Sequence, residues 1–98
     1  MSLTKQQQTA TIAEFSENIR RLGQPLTTIA TALQTTPETI TAIAQLNARH
    51  IEDPWILRNY LLQQLQAAGL PHQPFTALTG DYRDYWFLDT ARIAKGHL

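Results

Sequence analysis

Side chains that could perform catalysis are few and scattered in this chain. The three histidines, His50, His72 and His97, are far apart and lack the short spacings that let two residues of one helix bind zinc. There is no cysteine, which excludes disulfides, thiolate metal sites and cysteine nucleophiles. Neither Ser2 nor Ser16 lies in a nucleophile elbow. We therefore expect no catalytic residue, no metal site, no cofactor and no enzymatic activity.

The adjacent acids Glu52 and Asp53 are the one close carboxylate pair. Pro54 follows them and opens a segment with helical spacing of apolar residues. Carboxylates at such a position interact favourably with the positive end of a helix. The pair is thus interpreted as a helix cap and not as an acid–base couple.

The residue types suit binding of a partner better than catalysis, and the segment that indicates this is the central stretch LTTIATALQTTPETITAIAQL. Its apolar residues recur as a helix-turn-helix unit requires, with two short helices turning their apolar sides toward one core. These residues are Ile29, Ala30, Leu33, Ile40 and Ile43. The small Ala30 lets a second helix cross closely, so the spacing predicts a motif over residues 26–47.

The second motif helix has a strong start signal. Thr36 is a typical N-cap, Pro37 suits the first helical position, and Glu38 lies near the positive end of the helix dipole. The preceding turn departs from the commonest pattern, because Gln34 stands where glycine often supplies a left-handed conformation. At the other end, Asn47 is expected to close the helix in that conformation.

Burial of Ile40 and Ile43 would leave the opposite face of this helix free to contact base edges. The predicted base-contacting residues are Thr36, Glu38, Thr39, Thr41, Ala42 and Gln45. Gln45 could bond adenine, threonine methyls could meet thymine methyls, and Glu38 could accept from cytosine. Phosphates would be held by Arg20, Arg21 and Arg49.

Charge sets a limit on this hypothesis. The chain has eight basic and eight acidic residues, so any affinity for double-stranded DNA must come from local patches. The motif itself contains neither Lys nor Arg, and the arginines could equally be solvated cations at helix ends. We expect weak binding with a shallow salt dependence. The alternative is a non-enzymatic protein–protein interaction module, whose neutral threonine-rich face meets a protein partner or its own copy.

Two longer helices are predicted around the motif. The first spans Lys5 to Leu22 and is ended by Gly23; its apolar side carries Ile12, Phe15, Ile19 and Leu22. The fourth begins at Asp53 and runs to Ala68, with Leu57, Leu61, Leu65 and Ala68 along one side. Within it, Trp55 is expected to pack under the motif helices while Arg58 snorkels or pairs with an acid. In the alternative, Arg58, Asn59 and Tyr60 contact a ligand or phosphate, although no Gly-rich loop or second basic cluster accompanies them.

The C-terminal part is rich in aromatics, with five of the eight between Phe75 and Phe87. We interpret residues 75–79 and 85–88 as a short hairpin that turns at Gly80-Asp81, followed by a helical turn from Asp89; a helix over residues 81–96 is the alternative. The aromatics could complete the core, or Arg83 could lie on a wing that touches DNA. A partner or dimer surface would use Tyr82, Tyr85, Trp86 and Phe87.

Length and composition favour a single mainly α domain over residues 1–98. Its core would be marginal in a monomer, which makes a homodimer plausible. No apolar run approaches the roughly 20 residues of a membrane span, and the polar start MSLTKQQQ is unlike a signal peptide. We therefore expect a cytoplasmic protein with no membrane partner.

Three segments resemble a known family. EDPWILRNYL at residues 52–61, PFTALTGDYRDYWFLD at residues 74–89 and the closing residues 93–96 are similar to the bacterial domain of unknown function family 2316. The resemblance spans nearly the whole chain. It implies a small, intracellular, single-domain bacterial protein whose middle is similar to regulator helix-turn-helix segments, and it implies no site residues.

Overall fold

Five α-helices make up the regular structure of this protein in the computed structural model, which describes residues 3–79, 88, 90–96 and 98. Their bounds are α1 Lys5–Leu22, α2 Leu26–Ala32, α3 Pro37–Ala44, α4 Asp53–Ala67 and α5 Thr90–Lys95. The described ranges contain no strand. The predicted mainly α class is confirmed.

Helix α1 begins and ends at local signals. The Thr4 hydroxyl accepts from the Gln7 backbone N–H at 3.1 Å, and the Gln7 side chain accepts from the Thr4 N–H at 2.9 Å. This capping box was missed by the sequence analysis, although the Thr4-to-Gln7 spacing carries it. At the other end Gly23 takes a φ of 73°, and its N–H bonds Ile19 O at 3.1 Å.

Helices α2 and α3 form the predicted helix, turn and helix. Gln34 adopts a φ of 59°, so a non-glycine residue does supply the left-handed conformation of the turn. The Thr35 N–H then bonds Ala30 O at 2.9 Å, which satisfies a carbonyl at the end of α2. Thr36 caps α3 by accepting from the Thr39 N–H at 3.2 Å.

The core lies where α2 and α3 meet α1 and α4. The predicted inward residues Ile29, Ala30, Leu33, Ile40 and Ile43 are all buried, as are Trp55, Leu57, Leu61 and Leu65 of α4. Phe15 of α1 meets Phe75 edge to face with ring centroids 5.0 Å apart. Ala68, expected on the apolar side of α4, is exposed and follows the last helical residue.

The end of α3 differs from its prediction. Leu46, not Asn47, takes the left-handed conformation, with a φ of 61°. Asn47 donates its backbone N–H to Ala42 O at 2.8 Å. Leu46 packs its partly buried side chain against the core, and that burial offsets the cost of the unusual backbone.

The strand expected over residues 75–79 is not formed, and this segment is irregular. Backbone groups of residues 73–76 bond side chains of α1 instead of a neighbouring strand. The fully buried Asn18 accepts from the Gln73 N–H at 2.7 Å and donates to Gln73 O at 2.9 Å. The buried Glu14 carboxylate accepts from the Thr76 N–H and hydroxyl at 3.1 and 2.8 Å.

The rest of the proposed hairpin, at residues 80–81 and 85–87, lies outside the described residues. The helical turn expected after Asp89 is present as α5. Ile93 of α5 is buried, and the Leu98 N–H donates to Leu33 O at 2.9 Å. The C-terminal residues therefore pack against α4 and the end of α2.

Candidate nucleic-acid interface

The outward side of α3 is accessible as predicted. Thr36, Glu38, Thr41 and Gln45 are exposed, while Thr39 and Ala42 are half-buried. Ile40 and Ile43, on the opposite side, are 0% and 1% exposed. The inward residues hold α3 on the core, so its outward residues are presented on a fixed helix.

Two threonines of this face are engaged with each other. The Thr36 hydroxyl caps α3 and also lies 2.9 Å from the Thr39 hydroxyl. Base contact by either residue would therefore compete with the cap. Glu38, Thr41 and Gln45 are the better candidates for contact with base edges.

Two of the three predicted phosphate contacts belong to an ion-pair cluster at the end of α1. Glu17 Oε1 accepts from Arg20 Nε at 3.0 Å, and Glu17 Oε2 accepts from Arg21 Nε at 2.7 Å. These hydrogen bonds, first from Arg20 and then from Arg21, lower the pKa of the Glu17 carboxyl from 4.5 to about 2. At neutral pH the cluster carries one net positive charge instead of two.

Arg49, in contrast, lies beside α3. The exposed residues Glu38, Thr41 and Gln45 of α3 are called the reading face below, and Arg49 lines a groove together with Glu38. It is exposed, and it follows α3 in the connection to α4. That connection is flanked by two grooves. The α1 groove, of about 540 Å³, is bounded by the start of α1, and the α5 groove, of about 410 Å³, lies between α3 and residues Arg92 and Leu98. Gln45 and Arg49 both line the α1 groove.

The acidic pair lies at the start of α4 as expected, but the side-chain cap is not formed. Glu52 is the N-cap residue but makes no side-chain cap hydrogen bond. Instead Arg92 of α5 contacts both acids, at 2.8 Å to Asp53 and 3.9 Å to Glu52. Asp53 also accepts from the His50 N–H at 3.3 Å. Arg92 thus connects α5 to the two buried carboxylates at the start of α4.

Arg58 contacts neighbouring groups of the fold, and the snorkelling or acid pairing expected of it stays a prediction. Its guanidinium lies 5.2 Å from the centre of the Trp55 ring and donates to Leu78 O at 2.8 Å and to Asn59 Oδ1 at 2.6 Å. Nearby, burial raises the pKa of the Tyr60 hydroxyl. The alternative in which Arg58, Asn59 and Tyr60 contact a ligand gains no support from these contacts.

Several predicted features lie outside the described residues. They are the partner or dimer surface of Tyr82, Tyr85, Trp86 and Phe87 and the possible wing at Arg83.

Across the part of the chain that is described, no three His, Asp or Glu side chains are grouped as a metal site would need. Among the described helices, none is both long and apolar enough to cross a membrane.

Fold and candidate site together define a small helical domain built around a helix-turn-helix-shaped unit. Residues 1–89 match the model of a family described as "Uncharacterized protein conserved in bacteria (DUF2316)". The chain belongs to this family. Searches of curated proteins and of solved structures gave no match.

Proposed function

We propose that this protein is a DNA-binding transcriptional regulator of the helix-turn-helix type, acting as a homodimer. The observation that carries the proposal is the geometry of α3. Ile40 and Ile43 are buried against the core, while Glu38, Thr41 and Gln45 are exposed on the other side. A helix held in this way can enter a major groove without rearrangement.

Molecular size is compatible with a dimer on successive major grooves. The protomer measures 31 × 26 × 24 Å along its principal axes. Dimeric readers place their recognition helices about 34 Å apart, one turn of DNA. Protomers of this size fit side by side at that spacing.

Electrostatics would make binding weak. In this proposal phosphate is contacted by Arg49 and by the cluster of Glu17, Arg20 and Arg21, which carries one net positive charge. Each phosphate neutralised contributes a slope of about −0.9 to the dependence of log affinity on log salt. A slope of about −2 per protomer is therefore expected.

The same cluster favours a second function. Glu17 partly neutralises Arg20 and Arg21, and the outward residues of α3 include no cation. A hydroxyl-rich surface of this kind, whose charged residue is the acid Glu38, suits contact with a protein or a second copy of the chain. We therefore keep a protein-interaction module as the alternative.

Fluorescence anisotropy with labelled mixed genomic duplexes at low salt tests the DNA proposal. Arg49→Gln should weaken binding severalfold and make the salt slope shallower by about 0.9. Glu17→Gln should tighten binding, because it removes the carboxylate that pairs with Arg20 and Arg21.

The matched control is Gln66→Glu, which lowers the net charge by the same one unit at an exposed position of α4 that lines neither groove. It should leave the affinity nearly unchanged. Absence of binding by the wild type at low salt would remove the DNA proposal. Equal losses for Gln66→Glu and Arg49→Gln would show that α3 and its flank are not the binding face.

A further inference from the structure

The α1 groove has the size and lining of a small-molecule site. Its volume of about 540 Å³ falls within the range of about 300–1,000 Å³ typical of ligand pockets. We propose that it binds an amphipathic monocarboxylate, a molecule with an apolar body and one carboxylate. This site is additional to the reading face of α3, although it adjoins it through Gln45.

Apolar side chains from several parts of the chain form the walls. Ile12 comes from α1, Leu46 and Ile51 from the connection, Trp55 from α4, and Leu78 from the irregular segment. Ile51 is 49% exposed, which is high for a large aliphatic side chain. A ligand with an apolar body would remove this surface from water, and such burial is favourable by about 25 cal/mol per Å².

The positive charge of Arg49 favours an anion in the α1 groove. Arg49 and His50 both line it and both are exposed. Among the described residues that line this groove there is no Asp or Glu. The α5 groove differs, since Glu38 and Asp53 line it and offset the charges of its two arginines, Arg49 and Arg92. Charge complementarity therefore assigns the carboxylate to the α1 groove.

Polar but uncharged groups complete the lining. Gln7 of α1 and the exposed Gln45 and Asn47 place amide side chains around the groove. These amides can donate hydrogen bonds to a carboxylate held by Arg49, and the guanidinium can bind both of its oxygens. The apolar walls would then take the rest of the ligand.

Titration of the ¹⁵N-labelled protein with octanoate, followed by NMR without DNA, tests the site. We expect saturable shifts of the Trp55 indole N–H and of the Gln45 and Ile51 amides. Octanamide has the same chain without the charge and should bind about fivefold or more weakly, since it forms no charge-assisted hydrogen bond.

Two variant pairs separate charge from shape. Ile51→Glu should abolish octanoate binding by repulsion, whereas Ile51→Gln should retain part of it. Arg49→Gln should weaken binding about fivefold or more, while Arg20→Gln, an exposed cation away from the groove, should not change it. Circular dichroism verifies that each variant is folded.

Three results would overturn the site: no saturable shift, equal affinity for octanoate and octanamide, or shifts that map elsewhere, such as around the exposed Leu26 and Leu70. Equal binding by Ile51→Glu and Ile51→Gln would also contradict it.

A link to regulation rests on the proposed function, because Arg49 would serve both the ligand and DNA phosphate. Octanoate should then weaken DNA binding by the wild type and leave that by Ile51→Glu unchanged. The NMR titration contains no DNA, so failure of DNA binding and failure of the groove are distinguishable. An unchanged DNA affinity in saturating octanoate would overturn the link.

Discussion

Glu17 determines the charge of the last turn of α1. It binds Arg20 and Arg21, three and four residues further along the helix. The same hydrogen bonds raise the pKa of the Arg20 guanidinium and depress that of the Glu17 carboxyl. Glu17 thus sets how much positive charge the end of α1 offers to a partner. Its ion pairs change the free energy of unfolding only slightly, because water screens exposed pairs.

The depressed pKa predicts a pH dependence of stability. A carboxyl whose folded pKa is below its unfolded value stabilises the fold above the unfolded pKa. The contribution of Glu17 is thus fully present above pH 4.5 and is lost as the pH falls toward about 2. Any advantage in thermal midpoint of the wild type over Glu17→Gln should shrink across this window.

Thermal unfolding of both proteins between pH 7 and pH 2 measures the difference. Ser16→Ala, which changes an exposed neighbour on α1, provides the reference for a change without charge. A difference that stays constant through the acid range would show that Glu17 is not linked to protonation in this way.

At the scale of elements, the start of α3 depends on Thr36. This residue has extended backbone angles, and its hydroxyl satisfies a backbone N–H of the first turn. Pro37 at the beginning of the helix has no N–H that would need a partner. Because α3 has eight residues, its position depends on this cap and on the burial of Ile40 and Ile43.

Thr36→Ala should lower the free energy of unfolding by about 1 kcal/mol, because the N–H of Thr39 loses its acceptor. Thr36→Ser keeps the hydroxyl and should retain most of the stability. Urea unfolding followed by circular dichroism gives both values. Equal losses for the two variants would indicate that the methyl group, and not the cap, stabilises this turn.

At the scale of the whole molecule, Arg92 attaches α5 to α4. Its guanidinium contacts Asp53 and Glu52, which are 5% and 8% exposed. Removal of the cation takes away the ion pair of the buried Asp53 carboxylate, and breaking such a pair costs more than the pair itself contributes. The hydrogen bond from Leu98 to Leu33 provides a second attachment of the C-terminal residues.

Arg92→Gln should therefore destabilise the protein by about 2 kcal/mol, less than a fully buried pair, because Arg92 is itself partly exposed. Amide exchange should accelerate in α5 and at the start of α4. Lys95→Gln, an exposed cation of the same helix, is the matched control. Equal destabilisation by the two variants would contradict a specific role of Arg92.

The local signals of the chain were sufficient to predict the helices of the first two-thirds. Gly23 ends α1, Thr36 and Pro37 begin α3, and each acts within a few residues of itself. The apolar spacing of residues 26–46 likewise predicted which side of α3 is buried. Such features follow from sequence because helical periodicity and capping are local properties.

The structure of the C-terminal third and the assembly of the α1 groove depend on tertiary contacts. Glu14 bonds Thr76 across 62 residues, and Asn18 bonds Gln73 across 55, so a segment that resembles a strand stays irregular. Arg92 likewise pairs with Asp53 across 39 residues, a contact that the sequence around the start of α4 does not indicate. The α1 groove also assembles residues from four separate parts of the chain. No local pattern encodes these pairings, because they exist only once the helices have packed.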